Sequence, residues 1–269
     1  APPPAAAGER RIELADFPAG SRPGLLVHEI LERIDFRRDD PGELRRVVEG
    51  RLAAYGLEAK WREPLERTIA GLLETPLVAG DRRLRLGDVG REKRSSEMEF
   101  TLPVGPDEGS RRLTREALAE VFEHHAGGAV PAEYPQRLRE LEFRPLAGFL
   151  RGYIDLVLEQ DGRFWLIDWK SNHLGPRPED YRAAGLRSAM LGHHYTLQYH
   201  LYVASLDRHL RRGVPRYRYE ERFGGVLYVF LRGVTRGDGE TGIFFDRPPA
   251  ALVADLSAVL AAGAAELRA

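Results

Sequence analysis

The sequence contains no cysteine. A chain without thiols can form neither disulfides nor thiolate metal sites, so iron–sulfur clusters and cysteine-bound zinc are excluded. It also lacks an apolar run of the roughly 18 residues that a membrane helix needs, and its N-terminus has no charged segment followed by an apolar core. We therefore expect neither a membrane span nor a signal peptide, and the missing cysteines are compatible with a reducing cytoplasm.

An excess of charge of one sign is missing too. The sequence has 40 Lys and Arg against 41 Asp and Glu, for a formal net charge of −1. A polyanionic partner would therefore have to bind to a local basic patch rather than to the protein as a whole. One segment, residues 81–94, is richer in basic than in acidic residues. It predicts either a contact with phosphate groups or an ordinary solvated loop, and the sequence leaves both open.

Several common catalytic and phosphate-binding motifs are absent as well. The sequence has no G-x-x-x-x-G-K-[ST] loop and no G-x-G-x-x-G turn after a strand. It has no G-x-S-x-G elbow either. These absences exclude an NTP-driven motor of the P-loop kind, a dinucleotide site of the Rossmann kind, and a serine hydrolase of the elbow kind within this chain.

The composition that remains is that of a globular protein, with 43% hydrophobic and 30% charged residues. A chain of 269 residues can bury a substantial core. The first eight residues, with three prolines and four alanines, have the composition of a linker. We predict that residues 1–22 form a tether, as the cut end of a longer polypeptide, and that residues 23–269 form one domain.

Hydrophobic periodicity predicts alternating helices and strands, and therefore an α/β fold. Helices are expected near residues 23–36, 41–55, 61–74, 114–125, 179–187, 193–210 and 249–262, with a short one that ends near residue 141. Strands are expected near residues 95–104, 152–170, 223–232 and 242–245. The apolar run that begins at Phe223 is typical of a strand that is buried on both faces.

The stretch from Gly152 to Lys170 predicts two strands joined by a tight turn. Apolar residues alternate with polar or aromatic ones on both sides of Asp161-Gly162, and Asp-Gly is a strong signal for a short hairpin. Asp168 and Lys170 are two residues apart, so on a strand they project from the same face. The other strand contributes a further carboxylate, Asp155.

Two carboxylates and a lysine in an apolar hairpin suggest chemistry rather than packing. Buried carboxylates cost several kcal/mol unless they are paired or bound to a metal. Asp155, Asp168 and Lys170 would suit a hard divalent cation and a water nucleophile. The competing interpretation is a surface ion pair between Asp168 and Lys170, which is the more common meaning of D-x-K alone.

Four further residues have ordinary interpretations when each is taken singly. His28 lies at the edge of the apolar stripe of the first helix, where a histidine is usually structural. Glu97 would lie on the solvent face of a strand, and Glu99 is expected on that same face. Gln198 and Tyr202 share a face of the long helix, where they could simply pack against a sheet.

Together these residues fall into five short blocks in a characteristic order. The blocks are G-x-x-x-H-x-x-L-E from Gly24 to Glu32, E-x-x-F from Glu97, G-x-x-D ending at Asp155, D-W-K from Asp168 to Lys170, and Q-x-x-x-Y from Gln198 to Tyr202. This order resembles that of the RecB-type nucleases of the PD-(D/E)XK superfamily. The resemblance extends from about residue 23 to the end of the chain, and Trp169 replaces the tyrosine of the usual D-Y-K block.

The resemblance implies a restriction-endonuclease-like core, with a central mixed β-sheet flanked by α-helices. It also implies a metal-dependent deoxyribonuclease of the exodeoxyribonuclease V type that leaves 5′-phosphates. The implied ligands of Mg²⁺, or of Mn²⁺ as an alternative ion, are His28, Asp155, Asp168 and the backbone carbonyl of Trp169. Lys170 would position or activate water, with Asp155 and Asp168 as its catalytic partners. Glu97 would add an outer contact, and Gln198 and Tyr202 would orient the substrate strand or buttress the site.

The resemblance further implies partners and a location. The expected partners are single- and double-stranded DNA, a helicase portion of the same polypeptide, the RecC and RecD subunits, and the RecA recombinase, in the bacterial cytoplasm and without a membrane. A non-catalytic module that recruits RecA is the alternative function, although intact Asp155, Asp168 and Lys170 argue for chemistry. A stand-alone Cas4-like nuclease is disfavoured, because those proteins carry iron–sulfur cysteines.

Overall fold

The computed structural model describes residues 11–104, 113–127, 130–142 and 148–262. Its α-helices are Ser21–Arg33 (α1), Glu43–Ala54 (α2), Arg62–Glu74 (α3), Arg115–His124 (α4), Tyr134–Arg139 (α5), Ala183–Gly192 (α6), Tyr195–Gly213 (α7), Tyr219–Arg222 (α8) and Ala250–Ala262 (α9). Its strands are Leu77–Ala79 (β1), Arg82–Leu84 (β2), Arg94–Val104 (β3), Gly148–Gln160 (β4), Arg163–Lys170 (β5), Phe223–Phe230 (β6) and Ile243–Asp246 (β7). No helix within the described ranges is both long and apolar enough to cross a membrane.

The predicted hairpin is present as strands β4 and β5. They pair antiparallel, from Leu156 opposite Ile167 to Gln160 opposite Arg163. Asp161 and Gly162 connect them with positive φ angles of 52° and 72°. Two successive residues with positive φ are the signature of a type I′ turn, whose twist matches that of the flanking strands. The Asp-Gly signal therefore predicted the turn, and this two-residue turn fixes the register of the strands.

The central sheet confirms the predicted α/β class. Its five strands lie in the order β3-β4-β5-β6-β7, in a mixed sheet flanked by helices. Every residue of β6 is buried, as its continuous apolar sequence predicts. Strand β7 pairs antiparallel with β6 at the sheet edge. The helix that follows Thr114 is capped, because the Thr114 hydroxyl accepts a hydrogen bond from the backbone N–H of Ala117.

The prediction of a tether up to residue 22 is wrong for the part of it that the structure describes. Ile12, Leu14 and Phe17 are buried, and Ser21 already begins helix α1. The Arg232 guanidinium donates hydrogen bonds to the carbonyl groups of Leu14, Phe17 and Pro18 at 2.6–2.9 Å. Apolar side chains spaced two or three residues apart, together with this distant arginine, fix the segment in place. Residues 1–10, the proline-rich start of the predicted tether, lie outside the described ranges.

The basic segment at residues 81–94 is more ordered than a solvated loop. Strands β1 and β2 form a small antiparallel hairpin whose second strand lies within this segment, and the sequence reasoning missed it. The Arg94 guanidinium stacks over the Phe36 ring at 3.6 Å and bonds to the Ile34 carbonyl. The Arg91 side chain bonds to the Arg33 carbonyl and to Glu43. These arginines are therefore used within the fold.

The chain divides into two compact units, each built from three separate stretches. Among the described residues, those of the first fall within 1–97, 155–192 and 226–246, and those of the second within 98–154, 193–225 and 247–269. In the first unit, α1, α2 and α3 pack together over a core that includes Leu26, Ile30 and Ile167. In the second unit, α4 packs against α5 and α9, with the Phe122 ring edge-on to Tyr134 and His200.

Candidate active site

Asp155 and Asp168 face each other across the β4–β5 hairpin. The register that pairs Leu156 with Ile167 places them opposite one another when it is extended by one residue. Their side chains are only 12% and 2% exposed. Burial raises the pKa of Asp155 to about 6. Burial and the neighbouring Asp155 carboxylate raise the pKa of Asp168 to about 7. Two like charges at opposed positions are unfavourable, so this pair calls for a cation.

Lys170 supplies one positive charge at this position. Its ammonium group forms an ion pair with the Asp168 carboxylate, and it lies 4.9 Å from the centre of the Tyr228 ring. The lysine side chain is only 12% exposed, so it has no freedom to extend into solvent. The D-x-K pair is therefore buried, and the interpretation as a surface ion pair is excluded.

His28 approaches the same carboxylates from helix α1. Its Nε2 atom lies 2.9 Å from the carbonyl oxygen of Trp169, and its Nδ1 atom lies 3.5 Å from Asp155 Oδ2. Burial lowers the pKa of the imidazole, which favours the neutral form that can bind a metal. Gly24, one turn earlier, sits against the loop after β5, because a Cβ atom there would meet Ser171 Oγ at 2.9 Å. This close approach explains the glycine of the G-x-x-x-H block.

The Asp155 carboxylate is held by the strand that carries its partner. The backbone N–H of Trp169 donates a 2.8 Å hydrogen bond to Asp155 Oδ2. The same peptide segment presents the Trp169 carbonyl oxygen to His28. The Trp169 side chain is itself buried in the core of the first unit, so both backbone groups are rigidly placed. A tryptophan in place of tyrosine leaves this backbone arrangement intact.

Glu97, rather than Glu99, joins His28 and Asp155. One ligand atom from each of the three lies within 4.8 Å of the others. Glu97 has a positive φ of 50° within the continuous strand β3, a conformation that is uncommon for residues other than glycine. Burial raises the pKa of Glu97, and nearby Glu32 and Asp168 add to this effect. Glu99 belongs to the second unit and forms an ion pair with Arg151.

The donor atoms fit a divalent cation. Ligands of an octahedral ion with bonds of about 2.1 Å lie about 3 Å from their neighbours. The 2.9 Å separation between His28 Nε2 and the Trp169 carbonyl matches that spacing. Among the described residues, His28, Glu97 and Asp155 form the cluster at this site, whereas the Asp168 carboxylate is paired with Lys170. Several carboxylates, a carbonyl and one imidazole make an oxygen-rich set with a single nitrogen.

Gln198 and Tyr202 lie in the second unit, on helix α7. The Gln198 amide donates a 2.9 Å hydrogen bond to the Tyr202 hydroxyl, and the Tyr202 ring packs edge-on against Phe100. Both residues line a pocket of about 270 Å³, together with Phe100, Arg151 and His194. The helix begins at Tyr195 rather than at His193, because His194 adopts a left-handed conformation with φ 54°.

Sequence reasoning missed the residue that anchors the loop after Lys170. The Arg232 Nε donates a hydrogen bond to the Ser171 carbonyl at 2.8 Å, and its side chain is almost fully buried. A charged residue directly after the apolar strand β6 was the available signal, since buried arginines require several acceptors. Arg232 thus connects the loop after β5 to residues 14–18.

Comparisons with known proteins agree with this arrangement. Residues 8–269 match the family model described as the PD-(D/E)XK nuclease superfamily. The RecBCD enzyme subunit RecB of Escherichia coli (strain K12) is 36% identical over 239 residues, covering 88% of this chain and 19% of the relative. The subunits of the same name are 31% identical over 256 residues in Haemophilus influenzae (strain Rd) and 34% identical over 278 residues in Mycobacterium tuberculosis (strain H37Rv). The match to the Haemophilus protein covers 93% of this chain and 19% of the relative. The match to the Mycobacterium protein covers 97% of this chain and 25% of the relative.

The chain therefore spans about a fifth to a quarter of the length of these relatives. The alternative of a non-catalytic module that recruits RecA is not supported. The match over nearly the whole sequence, the mixed sheet and the buried Asp155, Asp168 and Lys170 all agree with one family. This chain belongs to the PD-(D/E)XK nuclease superfamily.

Proposed function

We propose that this chain is the nuclease domain of a RecBCD-type helicase–nuclease that acts in the repair of DNA double-strand breaks by homologous recombination. Its reaction would be the hydrolysis of DNA phosphodiester bonds, leaving 5′-phosphates. The observation that carries the proposal is the convergence of His28, Asp155, Asp168 and Lys170 at the end of one buried hairpin. The family membership and the similarity to RecB subunits support it.

The residues that would hold Mg²⁺ are His28, Asp155, Asp168 and the carbonyl of Trp169, with Mn²⁺ as an alternative ion. Burial that raises the pKa of both aspartates provides a site that gains from a bound cation. When bound, the ion would polarise the scissile phosphate and lower the pKa of a coordinated water. Glu97 lies close enough to contact the ion directly or through water.

Lys170 would have two tasks in this reaction. Its ammonium group, held beside Asp168, can donate a hydrogen bond to the attacking water and keep it in line with the phosphorus atom. The same charge offsets the negative charge that builds on the phosphate oxygens in the transition state. Because the lysine is nearly buried, its interaction with developing charge is less screened than at a protein surface.

The second unit offers groups suited to a DNA strand. On the exposed side of β4, Phe149 and Tyr153 are 74% and 47% exposed and flank Arg151. Exposed aromatic faces with an interposed arginine can stack on bases without sequence preference. Gln198 and Tyr202, in the pocket that Arg151 also lines, would orient the strand. Single- and double-stranded DNA are both proposed substrates.

The proposed partners follow from the resemblance and from the names of the relatives. They are a helicase portion of the same polypeptide and the RecC and RecD subunits, while RecA rests on the resemblance alone. The proposed location is the bacterial cytoplasm. These partners and this location are proposed for the whole enzyme, since this chain matches 19% of the length of the Escherichia coli relative.

A cleavage assay tests the proposed reaction. The chain would be incubated with linear and circular single-stranded DNA and with linear duplex, in Mg²⁺ or in EDTA, alongside the Asp168→Ala variant. We expect Mg²⁺-dependent cleavage by the wild type and none by the variant, with 5′-phosphates on the products. Cleavage of circles would establish endonucleolytic capacity. Equal cleavage by a folded Asp168→Ala protein would contradict the proposal.

A further inference from the structure

Three potential metal ligands meet in the second unit, within the part of the chain that the structure describes. They are His124, His125 and Asp255, and one ligand atom of each lies within 4.8 Å of the other two. His125 Nε2 lies 2.9 Å from Asp255 Oδ2, and the two imidazole rings are edge-to-face with their centres 5.1 Å apart. None of these residues has a role in the proposed nuclease reaction.

The end of helix α4 explains how two adjacent histidines can converge. Neighbouring residues within a helix project about 100° apart, so a histidine pair inside a helix does not share a ligand. Helix α4 ends at His124, and His125 leaves the helical conformation with φ −105° and ψ 8°. The changed backbone direction brings the second imidazole back toward the first. Asp255 comes from α9, which packs against α4.

The local electrostatics favour a cation. The C-terminal end of a helix carries a partial negative charge and carbonyl groups without helical partners. Asp255 adds a carboxylate that is 37% exposed, and the His125 side chain is 14% exposed. His124 is exposed at the surface. An ion can therefore reach the three side chains from solvent, and water can occupy its remaining coordination positions.

We propose that His124, His125 and Asp255 form a second metal site, which binds Zn²⁺ and connects the end of α4 to α9. Two imidazoles and one carboxylate suit Zn²⁺ better than Mg²⁺, which prefers an all-oxygen shell. A simple ion pair would need only His125 and Asp255, whereas a metal site also needs His124. His124 is therefore the residue that distinguishes the two interpretations.

The test is a titration of tag-free protein with Co²⁺, a coloured substitute for Zn²⁺, followed by displacement with Zn²⁺. The protein would carry Asp155→Asn, so that binding at the nuclease site is suppressed. We expect one equivalent of bound Co²⁺ with a visible absorption band that Zn²⁺ removes. Adding His124→Ala or Asp255→Asn should weaken binding by about tenfold or more, whereas His209→Ala, an exposed histidine of α7, should not.

The metal-free protein provides the second readout. His124→Ala should leave the melting temperature in EDTA unchanged, because His124 is exposed, and should abolish the rise in melting temperature that Zn²⁺ causes in its parent. Failure of the Asp155→Asn protein to bind Co²⁺ would overturn the proposal. Binding of equal strength after His124→Ala would overturn it too. Neither result depends on DNA cleavage, so the proposed nuclease function is tested separately.

Discussion

The imidazole Nε2 of His28 lies 2.9 Å from the carbonyl oxygen of Trp169, across 141 residues of sequence. A carbonyl can only accept, so in this arrangement Nε2 carries the imidazole proton. The same separation suits two neighbouring ligands of an octahedral ion. Once a cation displaced the proton from Nε2, helix α1 and strand β5 would present a nitrogen and an oxygen donor at the spacing that the cation needs.

Replacement of His28 should impair metal binding more than folding. We expect His28→Ala to raise the Mg²⁺ concentration for half-maximal cleavage by about tenfold or more, because one donor atom is lost. His173→Ala, in the exposed part of the loop after β5, is the matched control and should behave as the wild type. Cleavage rates measured over a Mg²⁺ titration would show the difference, and an unchanged titration for His28→Ala would rule out its role as a ligand.

Removal of the Lys170 charge should reduce catalysis without a comparable loss of metal affinity. Lys170→Met keeps the length of the side chain but removes the ammonium group, and we expect the cleavage rate at saturating Mg²⁺ to fall by about 10²-fold or more. Lys60→Met changes an exposed lysine and serves as the control. Single-turnover cleavage rates provide the measurement. A rate within a factor of about two of wild type would show that Lys170 is not part of the reaction.

Glu97 and Asp168 should differ in their importance, although both carboxyls have a raised pKa. Asp168→Asn removes a buried ligand beside Lys170, and we expect no detectable cleavage. Glu97→Gln alters an exposed carboxylate, and we expect only a higher Mg²⁺ requirement with most of the maximal rate retained. Glu99→Gln, whose partner is Arg151, is the control. Loss of cleavage in Glu97→Gln at saturating Mg²⁺ would instead make Glu97 an essential ligand.

Cleavage should depend on pH through competition between protons and the metal. The pKa of Asp155 is raised to about 6 and that of Asp168 to about 7, so both carboxyls become protonated as the pH falls from 7 to 6. At limiting Mg²⁺ we expect cleavage to fall over that interval, and higher Mg²⁺ should move the midpoint to lower pH. A midpoint that is independent of Mg²⁺ concentration would exclude this competition.

The folding stability of the metal-free protein should change with pH in the opposite direction to cleavage. A carboxyl whose folded-state pKa exceeds its unfolded value favours the folded state when it is protonated. Asp155 and Asp168 should therefore make the folded protein more stable as the pH falls from about 7 toward 4. Denaturation in EDTA, compared between wild type and the Asp155→Asn variant, measures this contribution and is the control for the activity profile.

His200 should make the protein sensitive to acid. Burial lowers its pKa to about 4, so the unfolded chain takes up a proton below about 6.5 that the folded protein does not. The free energy of unfolding should therefore fall between pH 6.5 and pH 4, by about 3 kcal/mol from this residue. His200→Phe, beside the aromatic rings of Phe122 and Tyr199, should flatten that part of the profile. Chemical denaturation at a series of pH values provides the measurement, and parallel profiles for the two proteins would contradict the assignment.

Sequence reasoning succeeded where local chemistry determines the structure. Asp161 and Gly162 indicated the turn, and the register that this turn fixes in the structure places Asp155 opposite Asp168. The Thr114 cap is of the same local kind, because its hydrogen bond from Ala117 spans three residues. Most helix and strand positions within the described ranges followed from periodicity, since these elements have an apolar face to bury.

The failures arose where distant residues decide the outcome. Residues 11–22 follow a linker-like stretch, so the sequence predicted a tether there. Their position in the core depends on Arg232, a residue far away in the sequence, which donates hydrogen bonds to the carbonyl groups of Leu14 and Phe17. Strand β2 was missed because its two adjacent arginines interrupt the alternation of apolar and polar residues that indicates a strand. Glu97 and Glu99 both lie at exposed positions of β3, but it is Glu97 that joins His28 and Asp155, and no sequence signal marks its positive φ.

The hydrogen bonds of Arg232 also determine where a shortened version of this protein can begin. A recombinant form that starts at Pro23 would lack the carbonyl groups of Leu14, Phe17 and Pro18. Of the four acceptors described above, the buried Arg232 guanidinium would then keep the Ser171 carbonyl. An uncompensated charge of that kind is strongly destabilising, and it would lie next to the strand that carries Lys170. Expression boundaries should therefore lie before Ile12, even though the first predicted helix begins about ten residues later.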